Sequence, residues 1–85
     1  EEVLNLIISC EKPEDIDLEE IINEIKSYCK SIKLKRLSQD NNFIESSFSI
    51  QVRDYKEFLV IKDLLSKKSD NISFSFIDSS VIPNL

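Results

Sequence analysis

Residues 43–57 read FIESSFSIQVRDYKE, and they contain a strand that leads directly into a helix. From Phe43 to Arg53 apolar or small side chains alternate with polar ones, and this period of two is typical of a half-buried strand. Asp54 and Glu57 follow at once. A carboxylate at the first of these positions caps free N–H groups of a helix, and a Glu three residues later can complete a capping box. The stretch therefore predicts a strand and a helix with no loop between them.

The same unit occurs earlier in the chain. A strand is predicted over 3–10, and Asp17-Leu18-Glu19-Glu20 opens a helix that is expected to end at Lys30. Further strands are predicted over 31–38 and 71–77. The order βαββαβ is that of the ferredoxin-like sandwich, an α+β fold. Because each crossover is right-handed, we expect one antiparallel sheet of order 4-1-3-2 with both helices on one face.

Composition and charge limit what this chain can do. Its 85 residues are enough for one small domain, predicted over 1–78 with a C-terminal tail over 79–85. No apolar run approaches the roughly 18 residues that span a bilayer, so we expect no direct membrane insertion by this segment. A net charge of −5 repels phosphate backbones, so nucleic acid is not an expected partner.

The residue types needed for common catalytic sites are missing. The chain has no His and no Gly, which removes the usual neutral-pH base and the Gly-rich phosphate loops. Its two cysteines, Cys10 and Cys29, lack CxxC spacing and are expected to be reduced, buried thiols. We therefore expect neither enzyme activity nor a cofactor. A cluster of cations is expected to protect an edge strand from pairing: Lys30, Lys33, Lys35 and Arg36.

The sheet face opposite the helices is the expected working surface of this fold. Its predicted residues are Val3, Asn5, Ile7, Ser9, Lys33, Lys35, Ser47, Ser49, Gln51, Ser73, Ser75 and Ile77. No aromatic ring is among them, whereas RNA-recognition domains of this fold stack bases there. Val3, Ile7 and Ile77 can form an apolar patch, and a covered patch indicates an interface. The alternative is that they are ordinary β-branched residues at partly exposed positions.

The loop after the first strand is acidic and offers a second candidate site. It carries four carboxylates, namely those of Glu11, Glu14, Asp15 and Asp17. Oxygen ligands of this kind suit a divalent cation. Acidic residues at a helix start also have an ordinary explanation, because they complement the positive end of the helix dipole. Both interpretations remain open from the sequence.

The pattern of the chain resembles ACT-like regulatory domains over nearly its whole length. The resemblance is carried by Leu4-Asn5-Leu6-Ile7-Ile8, by Pro13 leading into Asp17–Lys30, and by Phe76-Ile77-Asp78. In more detail, the chain is similar to the C-terminal cytosolic domain of MgtC-related and other uncharacterised bacterial membrane proteins. Ligand-binding ACT domains usually place a Gly at the end of the first strand, where this chain has Cys10-Glu11-Lys12-Pro13.

The resemblance implies a regulatory or oligomerisation domain that lies in the cytoplasm. The chain begins at Glu1 and has no Met, so we expect it to be part of a larger, membrane-embedded bacterial protein. Its expected partners are a second copy or another domain of that protein. The alternative is a sensor that binds a small molecule or a divalent cation.

Overall fold

The computed structural model describes residues 2–78 and has the predicted ferredoxin-like fold. The predicted tail over 79–85 lies outside the described residues. The elements, in chain order, are β1 (Glu2–Cys10), a 3₁₀ turn (Pro13–Asp15), α1 (Leu18–Lys26), β2 (Ser31–Gln39), β3 (Ile44–Val52), α2 (Tyr55–Ser66) and β4 (Ile72–Asp78).

The four strands form one antiparallel sheet of order β2-β3-β1-β4, which confirms the predicted order read from the other edge. β1 is central, because Leu6 lies opposite Phe48 of β3 on one side and Phe76 of β4 on the other. β2 and β4 are the two edge strands.

Both helices pack on one face of this sheet. The fully buried strand residues Leu6, Ile8, Phe48 and Ile50 form one cluster with helix residues Ile21, Ile25, Ile61 and Leu65. Along β3 the side chains alternate between buried and half-buried from Ile44 to Val52, which confirms the predicted alternation. Within residues 2–78, the other face of the sheet, called the outer face below, is therefore left without a helix layer.

The two predicted helix caps are present. The Asp17 carboxylate accepts a hydrogen bond from the Glu20 N–H (3.1 Å), and the Asp54 carboxylate accepts one from the Glu57 N–H (3.0 Å). The Glu57 carboxylate in turn accepts from the Arg53 N–H (2.6 Å) and from the Arg53 guanidinium (2.7 Å). The two bonds accepted by Asp17 and Asp54 each satisfy a donor that the first turn of a helix leaves free.

The first helix is one turn shorter than predicted. It ends at Lys26, where the Ser27 N–H bonds the Glu24 carbonyl (3.2 Å) and the Tyr28 N–H bonds the Ile25 carbonyl (2.9 Å). These bonds span three residues and tighten the last turn. The chain then reverses, and the Lys30 N–H donates to the Gln51 carbonyl (2.8 Å) as it enters the sheet. Joining the sheet here is incompatible with continuing the helix to Lys30.

The prediction that Lys35 occupies the outer face of β2 was wrong. Leu34 lies opposite Phe48, but Arg36 lies opposite Ser47, so a bulge falls at Lys35. Arg36 therefore takes the outer-face position. Strict alternation would also have turned Leu37 to the outer face, whereas the bulge returns it to the helix side.

Candidate functional site

The predicted apolar residues of the outer face lie together on β1 and β4. Ile7 lies opposite Ser47 on one side and Ser75 on the other, and Ile77 lies opposite Asn5. Ile77 is thus the diagonal neighbour of both Val3 and Ile7, within reach of their side chains. Val3 is 41% exposed, while Ile7 and Ile77 are half-buried. We call Val3, Ile7 and Ile77 the apolar trio.

Asn5 lies in the middle of the apolar trio and is buried, with 5% of its surface exposed. Its Oδ1 accepts a hydrogen bond from the Ser47 Oγ (3.1 Å). The sequence placed Asn5 on the outer face but gave no sign of its burial, because its neighbours on that face come from β3 and β4 as well as β1. The bond holds a polar group within an otherwise apolar patch and ties β1 to β3.

The rest of the outer face is divided into a hydroxyl-rich part and a charged part. The hydroxyl side chains near the apolar trio are those of Ser9, Ser47, Ser49, Ser73 and Ser75. Lys33 and Arg36 lie on β2 at the far edge. Within residues 2–78 no helix or strand packs over this face. It therefore offers mostly small polar side chains around one apolar centre, with the Glu45 carboxylate on β3 opposite Ser9 and the positive charges roughly 10 Å away, two strands from β1.

The four acidic residues of the loop after β1 do not converge on one point. Asp17 caps α1, and the Asp15 carboxylate accepts a hydrogen bond from the Asn71 side-chain amide (2.7 Å). Glu14 lines the same cavity as these two, whereas Glu11 lines another beside Cys10. Among the described residues, no group of three or more His, Cys, Asp or Glu side chains is arranged to hold a metal ion.

Lysines also line the cavity beside the acidic loop. The Lys68 ammonium bonds the Glu24 carboxylate and lies 3.7 Å from that of Glu20. The hydrogen bond that Lys68 donates to the Glu24 carboxylate is the main cause that raises the pKa of Lys68 above its ordinary value. Lys67 lines the same cavity. Two cations at this cavity compete with any added metal ion for the nearby carboxylates.

A cavity of about 350 Å³ lies at the opposite end of the sheet, where β3 leads into α2. The Phe58 ring packs edge-on against Phe76 (4.8 Å between centroids) and stacks with Tyr55 (5.6 Å) along its wall. Sequence analysis missed this cavity, because its walls come from β1, β4 and the β3–α2 junction. The only sequence sign was the Tyr55-x-x-Phe58 spacing, which puts both rings on one side of a helix.

The two cysteines are free and buried, as predicted. The Cys10 thiol donates to the Lys12 carbonyl (3.1 Å). Burial is the main cause that raises the pKa of Cys29, and the nearby Glu57 carboxylate adds to it. A raised pKa keeps the thiol protonated and so lowers its reactivity.

Neither helix in residues 2–78 is long and apolar enough to cross a membrane. The fold is similar to that of a de novo designed protein, Foldit4, with a TM-score of 0.61. The alignment covers 87% of this chain and 90% of that chain, at 17% sequence identity. A likeness at this identity shows the fold alone. A scan against protein-family models gives no match, and a search of curated proteins gives none either.

Proposed function

We propose that this chain is a non-catalytic regulatory domain that self-associates, and that it is the cytoplasmic part of a larger, membrane-embedded bacterial protein. The ACT-like sequence pattern supports the regulatory role and the membrane-bound parent. The observation that carries self-association is the apolar trio on an outer face that no helix of the described part of the chain covers. Since this fold hosts many functions, the proposal rests on this surface and not on the fold.

A second copy fits this surface because the surface is apolar at its centre and bordered mostly by serines, with the Glu45 carboxylate at its margin opposite Ser9. A two-fold axis near Ile7 would place one apolar trio against the other, with the surrounding serines leaving room for close approach. Lys33 and Arg36 lie at the β2 edge, so such an axis need not bring the cations of the two copies together. A two-fold contact of this kind uses one patch on both copies.

The test compares two valines that are each 41% exposed, Val3 on the outer face and Val60 on α2. Both are replaced by Glu, and the mass of each variant is measured by light scattering over a range of concentrations. We expect wild type to associate and Val3→Glu to weaken the association by roughly tenfold or more, because two carboxylates enter a two-fold contact at once. Val60→Glu should leave it unchanged.

Ile7→Glu provides a second test at the centre of the apolar trio. It should also lower the mass of the assembly, with circular dichroism unchanged if the fold is intact. A wild-type chain that stays at the monomer mass of 9.9 kDa up to millimolar concentration would refute self-association. Equal effects of Val3→Glu and Val60→Glu would refute the role of the outer face.

A further inference from the structure

The two edges of the sheet differ in how they oppose further pairing. The β2 edge carries Lys33, Lys35 and Arg36 and is interrupted by the bulge. Charges and bulges are the common means by which edge strands avoid pairing with another chain. The β4 edge has no bulge, and its single charge is on its last residue, Asp78. Its residues 72–77 read ISFSFI, with no charge and no Pro.

β4 is also regular along its whole length. It pairs with β1 without a register shift, from Cys10 opposite Ile72 to Leu4 opposite Asp78. Within residues 2–78 its other side pairs with no strand. Uncharged alternation of Ser with Phe and Ile has high β propensity, and such a strand at an open edge is a template for pairing.

We infer that β4 pairs antiparallel with β4 of a second copy, about a two-fold axis perpendicular to the sheet. The result is one continuous eight-stranded sheet with all four helices on the same face. This inference adds a second contact to the proposed self-association and does not depend on the outer-face contact.

The register follows from the pleat. Residues that lie opposite each other in a sheet must point to the same side of it. A β4 residue can therefore lie opposite only the same residue of the second copy, or one an even number of positions away. Centring the pair on Ser75 matches all seven residues Ile72–Asp78, whereas centring on Phe74 or Phe76 matches five. In the centred register Phe74 lies opposite the second copy's Phe76, and such aromatic pairs favour strand pairing.

The β4 strand of a second copy fits this edge better than the β2 strand of a second copy would. Pairing of β4 with β2 of a neighbour would meet the bulge and the cations. Such a head-to-tail contact would also be free to extend without closing, whereas β4 against β4 closes as a dimer. The dimer keeps both outer faces on one side, so it sets two apolar trios side by side.

The test uses two serines that lie opposite Ile7, Ser75 on the edge strand and Ser47 on the central strand. Each is replaced by Cys in the full chain, and disulfide formation under a mild oxidant is followed on non-reducing gels. Opposed Cα atoms of an antiparallel pair are about 4.5–5.5 Å apart, which suits a disulfide. The native Cys10 and Cys29 are buried, so the unmodified chain serves as the blank.

We expect Ser75→Cys to cross-link at least tenfold faster than Ser47→Cys, and to do so equally fast when Val3→Glu is also present. Equal rates for the two serine variants, or no cross-link in either, would overturn edge pairing. Loss of the Ser75→Cys cross-link in the Val3→Glu background would overturn it too, since the cross-link would then depend on the outer face. If wild type associates but Ser75→Cys does not cross-link, the edge contact fails while the proposed self-association stands.

Discussion

Replacing Lys68 should loosen the attachment of α1 to the end of α2. Its ammonium lies between the Glu24 and Glu20 carboxylates of α1, while its backbone N–H bonds the Leu65 carbonyl at the end of α2. Its side chain is 23% exposed and that of Glu24 is 38% exposed, so water screens the pair. The interaction should therefore resemble a good surface ion pair and contribute about 0.5–1 kcal/mol.

The charge can be isolated with a double-mutant cycle of Lys68→Met and Glu24→Gln, two changes that largely preserve side-chain length. Urea unfolding of the four proteins should give a coupling free energy of about 0.5–1 kcal/mol, which falls in 1 M salt. For a domain of this size such a loss lowers Tm by roughly 2–8 °C. Lys67→Met is the matched control, because Lys67 is an exposed neighbour, and it should change stability less.

The stability that the Lys68 ion pair contributes should decrease at high pH. The carboxylates raise the pKa of Lys68 in the folded state, so the pair contributes its full stability below the unfolded pKa of about 10.5. The contribution is lost as the pH rises through the higher, folded pKa. A coupling free energy below about 0.2 kcal/mol, or one that does not change between pH 7 and pH 11.5, would contradict this account of the contact.

Three further predictions concern the caps, the thiols and the acidic loop. Asp17→Ala and Asp54→Ala should each lower the free energy of unfolding by about 1 kcal/mol in urea titrations, whereas Lys56→Ala on the exposed side of α2 should have a smaller effect. An equally small loss for the caps would mean that the two hydrogen bonds do not stabilise the helices. In the native protein at pH 8, Cys10 and Cys29 should react with a thiol reagent at least tenfold more slowly than in urea, as both are buried; similar rates would show that the core opens readily. Millimolar calcium or magnesium should leave Tm unchanged, because the carboxylates after β1 do not converge; a saturable rise would favour the cation sensor.

Local patterns were enough to predict most of the fold. The alternation around Phe48 depends only on the period of a strand, and the Asp54 cap depends on residues three positions apart. The helix end was missed because the Lys30 N–H is satisfied by Gln51, a residue far along the chain. The bulge at Lys35 was missed because it appears only when β2 is aligned with β3.

For the candidate surfaces, too, some features could be predicted from the sequence and others depend on the tertiary structure. That Val3, Ile7 and Ile77 share a face followed from strand parity and element order, and so did the position of the cations on an edge strand. Their meeting around a buried Asn5 is a tertiary result, because Ile77 reaches Asn5 only through the β1–β4 register.

The sequence by itself determined the order of the elements, the helix starts and the inner and outer faces of β1, β3 and β4. Periodicity and capping act over a few residues, so they can be read without knowing which strands pair. The tertiary structure alone decided the bulge, the burial of Asn5, the separation of the acidic side chains and the contrast between the two sheet edges in regularity. Each of these depends on the register between segments that are distant in sequence, and only the packing of the whole core fixes that register.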